Sequence, residues 1–343
     1  MGRLIDLDGL ARFSAGSRVF ATGAAESSFN LAVDWARSVL GHGVELLAAG
    51  EPEPDTLCVA VSLVGSTTAL GEQLPFGDEP ERAVRALERR LGERAGAVVA
   101  LNLAAENALI PLVAAARLGV PLVDGDGSGR VFPLLEQTTY ALGGLSPAPV
   151  ALAGGSGRWC CWRRRPTGWR SCCVLWCWRS GVGGGGVLSD GGPRPGPGGG
   201  AGHGEPAHAG GEPGVARSVA APYGVRALCR GRILAVEGST GHGTDLALPS
   251  LPSSIVLRES EGLRRLVRLE AHNEIVLALA DGAVVATVPD LICMVSTADE
   301  MVVDVDKAEP GLEVDIMVVR AAPVWHTARG LALGGPRAFG IPL

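Results

Sequence analysis

The residues best suited to chemistry lie in one short stretch, VPLVDGDGSGR, where an apolar run leads directly into acidic residues and glycines. Val120 to Val123 is predicted to be a buried strand. Asp124 and Asp126 follow it and are candidates for a general base, a hydrogen-bond acceptor or a hard-metal ligand. Glycines between them let the backbone approach a ligand closely. A solvated Asp/Gly turn is the alternative interpretation of the same residues.

Four further polar residues surround this stretch in the sequence and are candidate substrate-binding residues. Glu106 and Asn107 open a predicted helix, Arg130 ends the Asp/Gly loop, and Gln137 follows it. Ligands of α/β sheets bind beyond the carboxyl ends of the strands, where such residues meet. The alternative for Glu106 and Asn107 is helix capping and complementarity to the helix dipole. For Gln137 the alternative is an ordinary helix or loop position.

The elements that position these residues alternate between short apolar runs and helical patterns. Strands are predicted at 18–22, 44–48, 57–64, 97–101 and 120–124, and helices at 28–40, 78–94 and 104–118. Strands separated by helices indicate βαβ units, so residues 1–157 are predicted to form an α/β domain with parallel strands. In helix 78–94, Asp78 is expected to cap the first turn, and Val84, Leu87 and Leu91 form an apolar stripe.

Residues 213–343 show a different pattern of short β-branched runs separated by turn signals. Asp281-Gly282 is one such signal and is typical of a hairpin. A mostly β C-terminal domain is therefore predicted. Its polar residues include His272, Glu274 and Asp290, and the lone histidines are interpreted as structural.

The segment 158–212 fits neither pattern. Its first part, RWCCWRRRPTGWRSCCVLWCWR, holds five tryptophans and five cysteines, and a Gly/Pro-rich run follows. Adjacent cysteines are poorly placed to bind one metal ion, and a flexible linker explains only the second part. A single lysine, Lys307, among 30 basic residues indicates a GC-rich gene. GC-rich codons read in a shifted frame give a segment rich in Gly, Arg, Pro, Trp and Cys, so a frame shift between about Arg158 and Pro213 is favoured. We therefore expect no helix or strand of the core in this segment.

Composition excludes several classes of protein. The chain has 343 residues, 47% of them hydrophobic and 19% charged, with a net charge of −6, which is typical of a globular protein without a basic field for nucleic acid. The N-terminus has no apolar run of the kind a secretory signal requires. The most apolar long window, 97–120, is interrupted by polar and charged residues. We therefore expect a cytoplasmic protein that binds neither membranes nor nucleic acid.

Stretches in both halves resemble the S-methyl-thiohydantoin desulfurase-like proteins, formerly a domain of unknown function and associated with hydantoinase/oxoprolinase subunits. The stretches are ENALIPLVAAARLGVPLVDGDGSGRVFPLLEQTTYALGGLSPAP (106–149), PGVARSVA (213–220), HNEIVLALADGAVVATVPDLICMVS (272–296) and PVWHTARGLALGGPRAFG (323–340). The resemblance implies hydrolysis of the C–S bond of a small hydantoin-like substrate, with release of methanethiol. Asp124 or Asp126 would be the base or ligand of a divalent metal, and Arg130 and Asn107 would be donors.

The chain departs from the family pattern in two loops. ATGAAESS retains Thr22 and Gly23 but lacks the later glycines, and NLAAEN (102–107) has Asn102, Ala104 and Ala105 where the family has a glutamate and two glycines. The added Cβ atoms would crowd a backbone that approaches a ligand. These departures favour an alternative function, a non-catalytic companion that binds a hydantoinase/oxoprolinase-type partner. A nonfunctional product of an erroneous coding sequence is the third interpretation.

Overall fold

The structure is a computed structural model that describes residues 3–21, 26–64, 77–132, 137–145, 149–154, 159–162, 172–179, 224–238, 253–272 and 274–343. The N-terminal half contains eight strands and five helices within these ranges. They are β1 (Arg3–Ile5), α1 (Leu7–Val19), α2 (Glu26–Val39), β2 (Val44–Ala48), β3 (Leu57–Val64), α3 (Glu79–Leu91), β4 (Ala97–Ala100), α4 (Glu106–Leu118), β5 (Leu122–Asp126), α5 (Thr139–Leu142), β6 (Val150–Ala153), β7 (Trp159–Trp162) and β8 (Cys172–Arg179).

The eight strands form one sheet in the order β1-β2-β5-β4-β3-β8-β6-β7. Its centre is parallel, because β2, β5, β4 and β3 pair in parallel, whereas the strands on either side are antiparallel. Helix α4 packs against β3 and β4 of the parallel centre, whereas α3 packs against the antiparallel strands β6, β7 and β8. The predicted α/β domain with parallel strands is confirmed.

Two of these strands come from the anomalous segment 158–212. β8 pairs with β3 and β6, and β7 pairs with β6, all antiparallel. The expectation that this segment carries no core element is therefore wrong for residues 159–162 and 172–179. The run CCVLWCWR contains Val and two Trp residues, which are residue types of high β propensity, and this lets it extend a sheet. The frame shift stays a prediction, and the rest of the segment lies outside the described residues.

The predicted strand at 18–22 is also wrong, because Arg18 and Val19 end helix α1. The Asp6 side chain caps that helix by accepting a 2.8 Å hydrogen bond from the backbone N–H of Gly9. Leu10 and Phe13 are buried at helical spacing on the face that meets the core. A β-rich composition over five residues is outweighed by this longer amphipathic pattern.

Helix α3 follows the prediction except at its ends. Asp78 occupies the N-cap position but makes no side-chain capping hydrogen bond, and it forms an ion pair with Arg82 at 3.0 Å. Val84 and Leu87 are buried as expected, whereas Leu91 is 40% exposed because it lies in the last turn, at the surface.

The C-terminal half is a closed antiparallel barrel followed by short helical turns. Its elements are β9 (Val225–Gly238), β10 (Ser253–Glu259), β11 (Leu266–Ala271), β12 (Ile275–Ala280), β13 (Ala283–Ser296), β14 (Val302–Val303), β15 (Glu313–Val319) and α6 (Ala328–Gly334), with 3₁₀ turns at Val305–Lys307, Pro323–His326 and Pro336–Phe339. The order is β12-β11-β10-β9-β15-β13-β14, and β12 also pairs with β13, which closes the sheet. The predicted mostly β domain is confirmed, with Asp281 and Gly282 at positive φ in the β12–β13 hairpin.

Strand β15 and the last six residues of β13, 291–296, are buried on both faces and belong to two hydrophobic cores. Ile292 and Ile316 point into the barrel core. The alternating residues Leu291, Cys293 and Met317 join the core of the α/β domain. The two domains therefore share a continuous apolar contact. None of the helices in the described ranges has the length and apolar character needed to cross a bilayer.

Candidate functional site

A cavity of about 40 Å³ lies where the end of β5 meets the barrel. The α/β domain lines it with Phe20, Asp126, Ser128, Gly129, Arg130 and Thr139. The C-terminal domain contributes the residues around Pro289, the segment 319–322 and Trp325. Interdomain cavities of this kind are common ligand sites, so we take it as the candidate site.

Asp126 is the acidic residue that lines this cavity. Strand β5 continues through Asp126, two residues beyond the predicted end, because a register shift lets Ala100 of β4 pair with Asp126 after Val99 pairs with Val123. The Asp126 Oδ2 atom accepts hydrogen bonds from the backbone N–H groups of Leu103 at 3.2 Å and Gly129 at 2.8 Å. These bonds fix the orientation of a carboxylate that is only 5% exposed.

Arg130 is the buried cation of the same cavity, at 2% exposure. Its Nη1 atom donates to the backbone carbonyl oxygens of Pro289 at 2.9 Å and Asp290 at 2.7 Å, and its guanidinium lies 5.1 Å from the centre of the Phe132 ring. Its buried Nη2 atom has no hydrogen-bond partner among the described residues. The site therefore retains a charged donor for an acceptor oxygen or nitrogen.

Two carboxylates of the barrel influence the charge of Arg130. Burial lowers the pKa of Arg130, and the carboxylates of Glu274 and Asp290 oppose that effect. Burial raises the pKa of Glu274 from 4.5 to about 7, and the Arg130 cation acts in the opposite direction. The Asp290 Oδ1 atom accepts from the backbone N–H of Ala321 at 2.9 Å and lies 3.0 Å from Nε2 of His326.

Trp325 anchors the C-terminal segment against the loop that follows β5. It is fully buried, its indole N–H donates to the backbone carbonyl oxygen of Ser128 at 3.1 Å, and its ring centre lies 4.7 Å from that of Phe132. Gly127 explains the tightness of this loop, since an added Cβ there would lie 2.8 Å from the carbonyl oxygen of Leu101. This glycine permits close packing within the protein, whereas the glycines of this loop were predicted to let the backbone approach a ligand.

Asp124 lies apart from the cavity lining. It forms an ion pair with Arg3 of β1, and its neighbour in the sheet is Ala48 of β2. Of the two aspartates predicted as the base, the structure thus brings only Asp126 together with Arg130.

Asn107 and Glu106 take part in contacts between α4 and its neighbours. The Asn107 Oδ1 atom accepts from the hydroxyl of Ser62 and the backbone N–H of Leu63, both at 2.8 Å. Glu106 accepts from the hydroxyl of Ser28 at 3.3 Å, and burial raises its pKa. Neither residue caps α4, and neither lines the cavity.

Gln137 also makes a structural contact, one that spans the two domains. Its side-chain amide donates to the backbone carbonyl oxygen of Leu333 in α6 at 2.9 Å, and it is 1% exposed. Its predicted role in substrate binding stays a prediction.

Within the described ranges, no group of three or more His, Cys, Asp or Glu side chains could hold a metal ion.

Several residues of the site were not predicted as site residues. Glu274, Arg320 and Trp325 are far from Asp126 in the sequence and reach the site only through the packing of the barrel. No local spacing signals this placement. The nearest sequence signal was that Glu274 is a charged residue directly before the apolar run that begins at Ile275.

Ala105, where the family pattern has glycine, adopts a backbone conformation suited to glycine, with φ +46° and ψ −126°. We expect Ala105→Gly to raise the free energy of unfolding by about 1 kcal/mol, because the strain of a Cβ at positive φ is removed. Chemical denaturation of the two proteins measures this change. Ala108→Gly, in the ordinary helix interior, should lower stability by about 1 kcal/mol. Equal destabilisation by both would contradict the strain at Ala105.

Gly330 of α6 packs directly on the turn that carries Trp325. A Cβ at this position would lie 2.4 Å from the backbone oxygen of Val324 and 2.5 Å from that of Trp325. Gly330→Ala should therefore cost about 1–3 kcal/mol in thermal or chemical unfolding, since backbone must shift. Gly50→Ala is the matched control, because nothing lies within 4 Å of its added Cβ. An equally stable Gly330 variant would show that α6 is loosely packed.

The fold and cavity define a class of two-domain proteins in which a partly parallel α/β sheet and an antiparallel barrel enclose a buried Asp–Arg site. The chain belongs to the S-Me-THD-like family: the model of the family's N-terminal domain matches residues 8–163, and that of its C-terminal domain matches residues 205–343. The predicted resemblance is confirmed, and residues 164–204 lie between the two matches.

A solved structure has the same fold. The crystal structure of a protein from Chromobacterium violaceum matches with a TM-score of 0.68 and 19% sequence identity, over 97% of this chain and 95% of that chain. At this identity the likeness concerns the fold alone. No curated protein matches the sequence.

Proposed function

We propose that the protein hydrolyses the C–S bond of an S-methyl-thiohydantoin-type ring and releases methanethiol. One observation carries the proposal: Asp126 and Arg130, an oriented carboxylate and a buried cation with a donor to spare, line the same interdomain cavity. Membership of the S-Me-THD-like family supports the substrate class.

The two residues supply the two functions that this hydrolysis needs. Asp126 takes a proton from water as the water oxygen bonds to the ring carbon that carries sulfur. Negative charge develops on the adjacent ring nitrogen, and Arg130 stabilises it by donating a hydrogen bond. The C–S bond then breaks, and Asp126 returns its proton to the departing sulfur to give methanethiol. The second proton of the water ends on the ring nitrogen, which leaves a hydantoin.

The test is an assay of the purified full chain with an S-methyl-thiohydantoin, in which free thiol and hydantoin are both quantified. The proposal requires equimolar thiol and hydantoin at a rate above that of the buffer. Absence of both products, from a protein shown to be folded by circular dichroism, would refute it.

A second candidate is the non-catalytic companion of a hydantoinase/oxoprolinase-type enzyme. The strained Ala105 favours it, because a loop whose backbone conformation suits glycine carries an alanine in this chain. Co-purification with such an enzyme, without thiol release by either Ala105 or Ala105→Gly protein, would support the companion. Thiol release by the protein alone would exclude it.

A further inference from the structure

We propose that Asp290 is a positioning residue of the site, which fixes Arg130 and the cavity wall at 319–322 relative to each other. The inference rests on the proposed function for the reaction that this geometry serves. Asp290 lies outside the cavity lining and acts through neighbours that belong to it.

The main chain of Asp290 holds the cation of the site. The Nη1 atom of Arg130 donates to the carbonyl oxygen of Asp290 at 2.7 Å and to that of Pro289 at 2.9 Å. Both bonds involve one nitrogen of a rigid planar group, so they also set the direction of Nη2, the buried donor that has no partner among the described residues. The position of the Asp290 main chain therefore decides where the free donor of Arg130 lies.

The side chain of Asp290 holds a second part of the cavity lining. Its Oδ1 atom accepts a hydrogen bond from the backbone N–H of Ala321 at 2.9 Å, within the segment 319–322 that lines the cavity. The same oxygen lies 3.0 Å from Nε2 of His326, in the 3₁₀ turn that carries Trp325. One residue therefore connects the buried cation, the cavity wall and the turn behind that wall.

The end of the strand pairing explains why a side chain is needed for this link. Strands β13 and β15 are paired as far as Leu291 and Val319, where β15 ends. The N–H of Ala321 lies two residues beyond this pair and needs another acceptor. The Asp290 carboxylate is that acceptor, so it extends the connection between the two strands as far as the cavity wall.

A shift of Arg130 should affect the chemical step more than substrate binding. In the proposed reaction its free donor stabilises negative charge that develops only in the transition state. Asp290→Ala, which removes the carboxylate, should therefore lower kcat for thiol release by about 10- to 100-fold and change KM by less than about threefold. Asp290→Asn keeps an oxygen that can accept from the Ala321 N–H, so it should recover most of the lost kcat.

Asp299→Ala is the matched control for this experiment. The Asp299 Oδ1 atom also accepts from a backbone N–H, that of Met301 at 3.2 Å, in a turn of the same barrel. Asp299 lies outside the cavity lining, so its loss should lower stability and leave kcat unchanged. An Asp290→Ala protein that loses only stability, or an Asp290→Asn protein that loses as much kcat as Asp290→Ala, would overturn the inference.

If Asp290→Ala does not fold, Asp290→Glu takes its place. This variant keeps the charge, but its longer side chain must displace either the Ala321 N–H or the main chain at 290. Its kcat should fall in the same way, and an unchanged kcat would contradict the positioning role.

If the unmodified protein releases no thiol, the proposed function fails, and the inference is decided by nuclear magnetic resonance. The Nε–H group of Arg130 donates to the carbonyl oxygen of Val131 at 3.2 Å, and its signal is identified by its loss in Arg130→Lys. The signal should shift in Asp290→Ala, or in Asp290→Glu where that variant replaces it, and stay in place in Asp290→Asn. Asn removes the same charge as Ala, so equal signals in the two variants would refute the positioning of Arg130.

Discussion

Asp126→Asn should lower kcat/KM for methanethiol release by about 10²–10⁴-fold, the range expected when a general base is lost. The amide has nearly the same shape, and its oxygen can still accept the hydrogen bonds from Leu103 and Gly129. The loop after β5 should therefore keep its conformation while the proton acceptor is lost. Steady-state kinetics with quantification of thiol measures the effect.

Asp124→Asn is the matched control for this experiment. Asp124 lies on the same strand, but it pairs with Arg3 of β1 and does not line the cavity. Its change should leave kcat/KM within about twofold, because an exposed ion pair contributes little. A loss confined to Asp124→Asn, or undiminished turnover in both variants, would show that Asp126 is not the base.

Glu274→Gln should change the pH dependence of stability by about 3 kcal/mol. The folded state raises the pKa of Glu274 from 4.5 to about 7, so the folded protein holds this proton more strongly than the unfolded chain does. Its contribution to stability is complete below pH 4.5 and is lost as pH rises through 7. Relative to the unmodified protein, the glutamine variant should therefore gain about 3 kcal/mol on going from pH 4.5 to pH 8.

Urea unfolding at both pH values, followed by circular dichroism, measures this gain. Glu259 provides a contrast, because the hydrogen bond from Arg265 lowers its pKa below 4.5. Glu259→Gln should therefore lose stability relative to the unmodified protein as pH rises towards 4.5, and the two curves should run nearly parallel between pH 4.5 and pH 8. Parallel curves for Glu274→Gln and the unmodified protein would mean that Glu274 is solvated in the folded state.

The fold was predictable where a segment has one dominant pattern. Strand β3 is an apolar run broken only by Ser62, and both β3 and β2 begin and end as predicted. The run at 18–22 has a similar composition but belongs to α1, because its conformation is decided by the longer helical pattern that precedes it. β8 was missed because its tryptophans and cysteines carry no alternation of polar and apolar residues, and its place depends on the free edge of β3.

Only those site residues that lie close together in the sequence could be predicted. Asp126 and Arg130 stand in one loop, so the sequence identified both. It could not separate Asp126 from Asp124, because the choice depends on a register shift between β4 and β5. Trp325 could not be predicted for a different reason, since its hydrogen bond to the carbonyl oxygen of Ser128 exists only once the two domains have packed together.

The double-sided burial of β13 and β15 has a consequence for how the chain can be divided. The barrel expressed alone would expose Leu291, Cys293 and Met317 to water as an apolar patch that favours aggregation. The α/β domain expressed alone would lack the residues of β13 and β15 that complete its hydrophobic core. We therefore expect that neither half folds to its native stability alone, and that the loop carrying Asp126 and Arg130 needs both halves to keep its conformation.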